Sequence, residues 1–193
     1  GLLKPVESGV LEVNEKMIED LKSCQYGEHA SNLGGILAFD LAQTIPQADA
    51  YVSNPVVVDE FNELARISGH PLLPRRSIFH ALNQKAVARQ HSKSIMRKYE
   101  ELNLVVVHLG GGITVGAHQK GRVVDVNQGL DGVGPFSPER SGTLPVGDLV
   151  RLCFSGEYTE KEILKMITGK GGLVAYLDTN SASEVERRAA EGD

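Results

Sequence analysis

The segment that decides the fold reads Val105-Val106-Val107-His108-Leu109-Gly110-Gly111-Gly112-Ile113-Thr114-Val115. It joins two apolar, β-type runs through three consecutive glycines. Because glycine has no side chain, backbone N–H groups in such a turn can come within hydrogen-bonding distance of a negatively charged oxygen. The segment therefore suits a turn that holds a phosphate. Glycines are also common in ordinary hairpins, and the triplet alone favours that simpler interpretation.

Strands and helices are predicted on both sides of this segment. Residues 113–117 and 122–126 alternate around Gln119-Lys120-Gly121, which predicts a hairpin. A further strand is expected at 50–53. Apolar residues at helical spacing predict helices over residues 15–24, 33–45, 58–68, 78–100, 146–154 and 160–168, and a terminal helix after Ser181. Together these elements indicate an α/β protein.

Two positions upstream of the segment carry polar groups at the ends of predicted elements. Asn54 precedes Pro55, and proline disfavours helix at the preceding residue, so Asn54 is expected in extended backbone at a strand end. Ligand groups gather at strand ends in α/β sheets. With Ser77 as the N-cap, His80 would lie in the first turn of its helix, near unpaired N–H groups. A structural role remains the alternative for any one histidine. The histidines expected at the surface are His70, His91 and His118.

A long loop rich in glycine, proline and serine follows the hairpin, over residues 127–144. Loops of this length inside compact domains are usually functional or disordered. Arg140 lies in its stretch Gly134-Pro135-Phe136-Ser137-Pro138-Glu139-Arg140-Ser141-Gly142. The planar guanidinium fits a phosphoryl or carboxylate group, and the prolines reduce the entropy lost in positioning it. A surface ion pair with Glu139 is the alternative.

Composition excludes some classes of function. The 193 residues are 41% hydrophobic and 23% charged, which is ordinary for a globular protein, and the net charge of -5 argues against a nucleic-acid-binding surface. Neither a membrane span nor a signal peptide is apparent, so we expect no membrane partner and a cytoplasmic location. Cys24 and Cys153 are expected to be reduced, and no metal ligands are predicted from the spacing of cysteines or histidines. Both ends look cut from a longer chain.

Several stretches, in order, resemble butyrate kinases of the acetate/butyrate kinase (acetokinase) family: residues 27–35, 77–86, 108–112, 136–142 and 169–177. That family belongs to the sugar kinase/Hsp70/actin superfamily. The resemblance implies a kinase with two ribonuclease-H-like domains that close over ATP, of which this chain is a part. Residues 1–57 would be the C-terminal portion of the first domain and residues 58–193 most of the second.

The resemblance also implies an activity, which is reversible phosphoryl transfer from Mg²⁺-ATP to butyrate or a similar short-chain carboxylate, giving an acyl phosphate and ADP. The implied catalytic residues are Arg140, His80, Asn54 and His29, and Asn32 would contact the substrate. The implied nucleotide-binding residues are His108, Gly110, Gly111 and Gly112 for the phosphates, and Gly171 and Gly172 near the adenosine. The complete protein would be a homo-oligomer.

Two positions depart from the family pattern. The family closes the strand at 50–53 with an aspartate near the Mg²⁺, whereas Asn54 cannot carry that negative charge. Ser181 stands where an acidic residue near the nucleotide is expected. One alternative is therefore a catalytically degenerate or truncated nucleotide-binding protein of the same superfamily, acting by binding. A kinase for acetate, propionate or a branched acid is a third hypothesis.

We predict that residues 1–193 alone have no kinase activity. The chain lacks the N-terminal phosphate-binding strand pair and the closing C-terminal helix that the resemblance leads us to expect. Phosphoryl transfer depends on aligning and neutralising both reactants, and half of that apparatus would be missing. The measurement is ADP formation from ATP by the purified chain, with and without butyrate. Butyrate-dependent ADP formation would contradict the prediction.

Overall fold

A computed structural model describes residues 1–192, and these form two compact units. The first unit comprises Gly1–Val106 and Gly116–Val126. The second comprises Val107–Val115 and the chain from Asn127 onward. The assignment of residues 1–57 and 58–193 to two ribonuclease-H-like domains stays a prediction. No helix within residues 1–192 has both the length and the apolar character needed to cross a membrane.

The strands and helices of residues 1–126 confirm a mixed α/β architecture. The helices are α1 (Glu15–Ser23), α2 (Asn32–Ala42) and α3 (Ala81–Ser94), with short 3₁₀ helices at Glu63–Arg66 and Tyr99–Glu101. Strands β1 (Val10–Glu12) and β2 (Tyr51–Ser53) pair antiparallel, with Leu11 opposite Val52. A three-stranded sheet has the order β3 (Asn103–Leu109), β4 (Ile113–Gln119) and β5 (Arg122–Val126).

The second unit adds four helices to the glycine turn and the long loop. They are α4 (Val146–Cys153), α5 (Glu160–Thr168), α6 (Leu173–Leu177) and α7 (Ala182–Ala190). A capping box begins α5, because Thr159 and Glu162 each accept from the other's backbone N–H. At α7, Ser181 Oγ accepts from the N–H of Glu184 at 3.2 Å, whereas the Glu184 carboxylate bonds to Thr179 and Arg188 instead.

The predicted β4–β5 hairpin is confirmed. Its two central residues, Lys120 (φ 49°) and Gly121 (φ 85°), both have left-handed backbone, as the tight turns that suit twisted hairpins require. Strand β5 then contributes Val123 and Val126 to the main core of the first unit. The other buried members of that core are Val58, Phe61, Ala65, Phe79 and Ala81.

The helix predicted over residues 58–68 is wrong, apart from the single turn at Glu63–Arg66. Val58 instead bridges to Val6 as in a parallel pair. The N–H of Asn62 donates to the carbonyl of Val124 at 2.9 Å, and the Asp59 carboxylate accepts from the N–H of Phe61 at 3.1 Å. These bonds take the place of a helix's backbone hydrogen bonds, so tertiary contacts override the helical spacing.

Helix α3 begins at Ala81, three residues later than predicted, and ends at Ser94. Ser77 does not cap it, because the buried Ser77 hydroxyl donates to the carbonyl of Val58 at 2.7 Å. The N–H of Phe79 donates to the carbonyl of Val56 at 3.0 Å, which keeps this stretch extended. His80 therefore occupies the N-cap position of α3 rather than its first turn.

Asn54 is not extended, which corrects the prediction from the following proline. Its φ of 40° lies in the left-handed region, which asparagine tolerates better than most residues. The buried side chain accepts from the N–H of Gly9 through Oδ1 at 2.9 Å, and the N–H of Asn54 donates to the carbonyl of Gly9 at 2.9 Å. This reciprocal pair stabilises the unusual backbone.

His118 is buried, with 2% of its surface exposed, whereas the sequence predicted a surface position. Its Nδ1 lies 2.6 Å from the hydroxyl of Tyr99, and its Nε2 lies 3.0 Å from Oε1 of Gln84. Next to Gln84, the buried Lys85 ammonium lies 2.8 Å from the Glu60 carboxylate. A buried polar network therefore ties α3 to the β4–β5 hairpin.

This network makes stability depend on pH. Burial, and then the positive charge of Lys85, lower the pKa of His118 from 6.5 to about 4, although Glu60 opposes the shift. A depressed histidine pKa means that the fold favours neutral imidazole. The stabilisation is therefore complete above pH 6.5 and is lost as the pH falls through about 4. A shift of this size corresponds to on the order of 3 kcal/mol.

We predict that the free energy of unfolding of wild type falls between pH 6.5 and 4 more steeply than that of His118→Gln, which cannot take up this proton. Denaturant unfolding at several pH values measures the difference. His91→Gln, at an exposed position of α3, is the control and should keep the wild-type dependence. Parallel pH profiles for wild type and His118→Gln would contradict the prediction.

Candidate functional site

The three glycines between β3 and β4 lie directly beneath three side chains. A Cβ on Gly110 would stand 2.8 Å from Nε2 of His108, and one on Gly111 would stand 3.4 Å from Oε2 of Glu139. A Cβ on Gly112 would collide with the guanidinium of Arg140. None of the three glycines has a positive φ. Glycine is required most clearly at position 112, where the Arg140 guanidinium occupies the space of a Cβ, whereas the contact at Gly111 is of ordinary length.

The turn is also fastened to the arginine loop. The carbonyl of Gly111 accepts from the hydroxyl of Ser137 at 2.6 Å, and that hydroxyl accepts from the N–H of Arg140 at 3.1 Å. Within the turn, the N–H of Gly110 donates to the carbonyl of Gly112 at 3.2 Å. The Gly110 N–H is therefore already used, and the predicted phosphate contact rests on the N–H groups of Gly111 and Gly112.

Arg140 is half-buried, and its guanidinium donates to the carbonyl of Gly129. The ion pairs found among residues 1–192 do not include Arg140, so the alternative of a surface pair with Glu139 is not what the structure shows. Burial lowers the pKa of Arg140, and the negative charges of Glu139 and Asp131 oppose that change. Arginine remains protonated in proteins, so the site keeps a fixed positive charge.

His108 lies at the end of β3, half-buried beside the turn. Burial, and then the positive charge of Arg140, lower the pKa of His108. The imidazole is therefore neutral at neutral pH and can donate one hydrogen bond from one ring nitrogen. A neutral donor beside a fixed cation suits an anionic group of several oxygens.

Gly171 and Gly172 are buried against the backbone of the arginine loop. A Cβ on Gly171 would stand 2.6 Å from the carbonyl oxygen of Met166 and 2.9 Å from Cα of Ser141, and one on Gly172 would collide with the carbonyl of Ser137. Gly172 also has a left-handed φ of 61°. Both positions thus require glycine, because the backbone of residues 169–173 packs closely against the arginine loop.

A cavity of about 720 Å³ adjoins these glycines. Its lining is mostly apolar and includes side chains of α4, α5 and α6, namely Leu149, Leu152, Ile163, Met166, Ile167 and Tyr176. Ser141, next to Arg140 in the chain, lies at its wall together with Gly171 and Gly172. This volume is within the range of pockets that hold small ligands.

The remaining predicted site residues lie in the first unit. Asn54 and His80 occupy the positions described above. His29 Nδ1 lies 2.8 Å from the hydroxyl of Ser31 and accepts from the N–H of Ser31 at 3.1 Å, just before α2. Asn32 is buried, with Oδ1 accepting from the N–H of Leu2 at 2.7 Å and Nδ2 donating to the carbonyl of Gly27 at 3.1 Å. These bonds give Asn32 a structural role, and its contact with substrate stays a prediction.

Sequence reasoning missed two members of the site, Ser137 and Gly129. Ser137 joins the glycine turn to Arg140, and the carbonyl of Gly129 orients the guanidinium. A serine three residues before an arginine only weakly predicts a turn in which the serine hydroxyl accepts from the arginine N–H. Gly129 acts only through its backbone carbonyl, and the residue type alone does not predict a role for a backbone group.

Comparison with known proteins gives consistent results. The sequence pattern of the Acetokinase family matches residues 39–193. Butyrate kinase 2 and Butyrate kinase 1 of Clostridium acetobutylicum are 62% and 60% identical over 193 residues, which are 100% of this chain and 54% of each relative. The chain thus spans about half the length of these relatives. The names of these relatives give no support to the alternative of a catalytically degenerate nucleotide-binding protein.

Solved structures confirm the fold. Acetate kinase of Porphyromonas gingivalis matches with a TM-score of 0.76 at 19% identity, over 96% of this chain and 49% of that one. A propionate kinase of Francisella tularensis matches with a TM-score of 0.73 at 23% identity, over 98% of this chain and 53% of that one. The predicted α/β, ribonuclease-H-like class is therefore correct. Sequence and structure together show that the chain belongs to the acetokinase family.

Proposed function

We propose that the complete protein carrying this chain transfers a phosphoryl group from ATP to butyrate or a similar short-chain carboxylate, giving an acyl phosphate and ADP. The observation that carries the proposal is the close approach of Arg140 and His108 to the Gly110–Gly112 turn. A fixed cation, a neutral donor and backbone N–H groups converge there on one small volume. Identities of 62% and 60% to two butyrate kinases support butyrate as the acceptor.

In the proposed reaction, a carboxylate oxygen attacks the γ-phosphorus of ATP. The bond from that phosphorus to the β,γ-bridging oxygen breaks, and its electron pair leaves with ADP. Arg140 would neutralise charge on the oxygens of the moving phosphoryl group, an effect worth about 10³–10⁵ in rate where arginine fingers have been measured. His108 and the N–H groups of Gly111 and Gly112 would hold neighbouring phosphate oxygens.

The nucleoside would bind beside Gly171 and Gly172. The adjoining apolar cavity of about 720 Å³ has room for an adenosine, and Ser141 connects its wall to Arg140 along the chain. Ser181 caps α7 and would bring no negative charge to the ribose. The proposed contact with adenosine is therefore apolar, with backbone groups of the glycine loop at its edge.

His80 and His29 would act as catalytic residues, and Asn32 would contact the carboxylate substrate. His80 would donate a hydrogen bond to the phosphoryl group or to the substrate carboxylate. Asn54 is neutral, and its Oδ1 already accepts from Gly9, so it would bring no negative charge to Mg²⁺. In this proposal the phosphates of ATP would hold the ion, which would help to neutralise their charge. The two-domain division at residues 57 and 58, a homo-oligomer and a cytoplasmic location remain part of the same proposal.

The proposal is tested with the complete protein, by measuring ADP formation from ATP with acetate, butyrate and isobutyrate side by side. We expect the highest kcat/KM for butyrate and trapping of the acyl phosphate as its hydroxamate. Arg140→Gln, which removes the cation at similar length, should lower kcat by about 10³ or more. ATP binding without acyl phosphate from any of the three acids would overturn the proposal.

The glycine turn gives a more local prediction for the 193-residue chain. Gly112→Ala introduces a Cβ where the Arg140 guanidinium lies, so the cation must move away from the turn. We expect ADP affinity, measured by isothermal titration calorimetry, to fall about tenfold, which is about 1.4 kcal/mol. Gly147→Ala adds the same methyl group to α4, where the nearest atom would be 3.6 Å away, and should bind ADP as wild type does. Equal ADP affinities for Gly112→Ala and Gly147→Ala would show that nucleotide binding does not need Arg140 to lie against Gly112.

Asn54 offers a gain-of-function prediction. An aspartate at this position can still accept the bond from Gly9 and adds the negative charge that family resemblance leads us to expect near Mg²⁺. Asn54→Asp in the complete protein should raise kcat with butyrate more than tenfold, and Asn54→Ala should not. An unchanged rate for Asn54→Asp would show that the charge at this position is not limiting.

A further inference from the structure

Gln84 and Lys85 of α3, one turn after His80, belong to the buried network that includes His118, Tyr99 and Glu60. The N–H of Gln84 donates to the carbonyl of His80 at 2.9 Å, as the first turn of the helix requires. The side chain of Gln84 is fully buried, and its Oε1 lies 3.0 Å from Nε2 of His118 on β4. The position of the first turn of α3 is therefore coupled to the imidazole of His118.

The hydrogen bonds of His118 define one arrangement. Gln84 Oε1 can only accept, so Nε2 of His118 donates to it, and Nδ1 then accepts from the Tyr99 hydroxyl at 2.6 Å. The buried Tyr99 ring is also fixed on its face by the cations of Lys85 and Arg89, at 5.9 and 5.6 Å from its centroid. Neither imidazole nitrogen can give up its partner without leaving a buried polar group unpaired.

Lys85, next to Gln84 in α3, makes a second set of contacts with the hairpin. Its ammonium contacts Glu60 at 2.8 Å and donates to the carbonyl of Gly121 in the hairpin turn at 3.1 Å. The Glu60 carboxylate also fixes β5, because its Oε2 accepts from the N–H of Val123 at 2.8 Å. With Lys85 holding the axis of α3 to the hairpin, the contact of Gln84 with His118 sets the rotation of its first turn.

We propose that Tyr99 and His118 are positioning residues for His80, holding the N-terminus of α3 so that the His80 imidazole is presented in one orientation. This inference rests on the proposed function, in which His80 contacts the transferring phosphoryl group or the carboxylate. A group that stabilises a transition state must be held in place before the reaction begins. A network serving stability alone would leave the orientation of His80 unchanged when Tyr99 loses its hydroxyl.

The test uses Tyr99→Phe, which keeps the ring and removes the hydrogen bond to His118. In the 193-residue chain, nitrogen and carbon NMR of the His80 imidazole, assigned with His80→Gln, should show shifted resonances and a shifted titration midpoint. In the complete protein, kcat with butyrate should fall about fivefold or more with KM for ATP and butyrate unchanged. Restoring a donor with Tyr99→His should recover part of kcat.

A matched control separates positioning from loss of stability. Val13→Ala truncates another buried side chain of the same unit that takes no part in the network. It should lower the melting temperature yet leave the His80 resonances and kcat as in wild type. Unchanged His80 resonances in folded Tyr99→Phe would overturn the inference. If the complete wild-type protein forms no acyl phosphate, the proposed function fails, while the His80 resonances still decide whether Tyr99 positions it.

Discussion

The guanidinium of Arg140 lies against the backbone of Gly112 and donates to the carbonyl of Gly129, in space that any other residue at position 112 would fill. Other contacts of the second unit hold the arginine loop close to the turn. Ser137 fastens the arginine loop to Gly111, and Gly171 and Gly172 let α6 come close to the same loop. The charge is therefore positioned during folding, so a bound phosphate need not order it.

The first unit is organised by a different constraint, the burial of Lys85 and Glu60. A buried charge is costly unless it is paired and its remaining hydrogen-bonding groups are satisfied. Glu60 meets that requirement with Lys85, Ser8 and the N–H of Val123, and these bonds lower its pKa despite burial. The arrangement fixes α3 against the hairpin. It thereby places His80 at the start of that helix.

Local signals in the sequence were sufficient for several elements. Asn14 caps α1, Thr159 and Glu162 cap α5, and Lys120-Gly121 closes the hairpin, because each depends on residues within one turn of the chain. The helix predicted at 58–68 is wrong because Val6 and Val124, far away in sequence, accept backbone hydrogen bonds from this stretch. The burial of His118 was missed for the same reason, since its partners Tyr99 and Gln84 are 19 and 34 residues away.

The candidate site shows the same division. The three glycines predict a phosphate-binding turn, and the stiff loop predicts an anion-binding role for Arg140. Only the family resemblance places the turn and the loop in one site. The sequence did not reveal that Arg140 lies over Gly112, or that Ser137 joins the two segments, because both facts depend on the folded loop.

We propose that the glycine turn and Arg140 hold the phosphates of the nucleotide. The most direct measurement is a titration of the isotope-labelled 193-residue chain with ADP, followed through the backbone amides of Gly111 and Gly112 and the Nε–H of Arg140. We expect these three signals to shift together and to saturate at the same ADP concentration. Saturation of other signals while these three stay in place would show that the phosphates bind elsewhere.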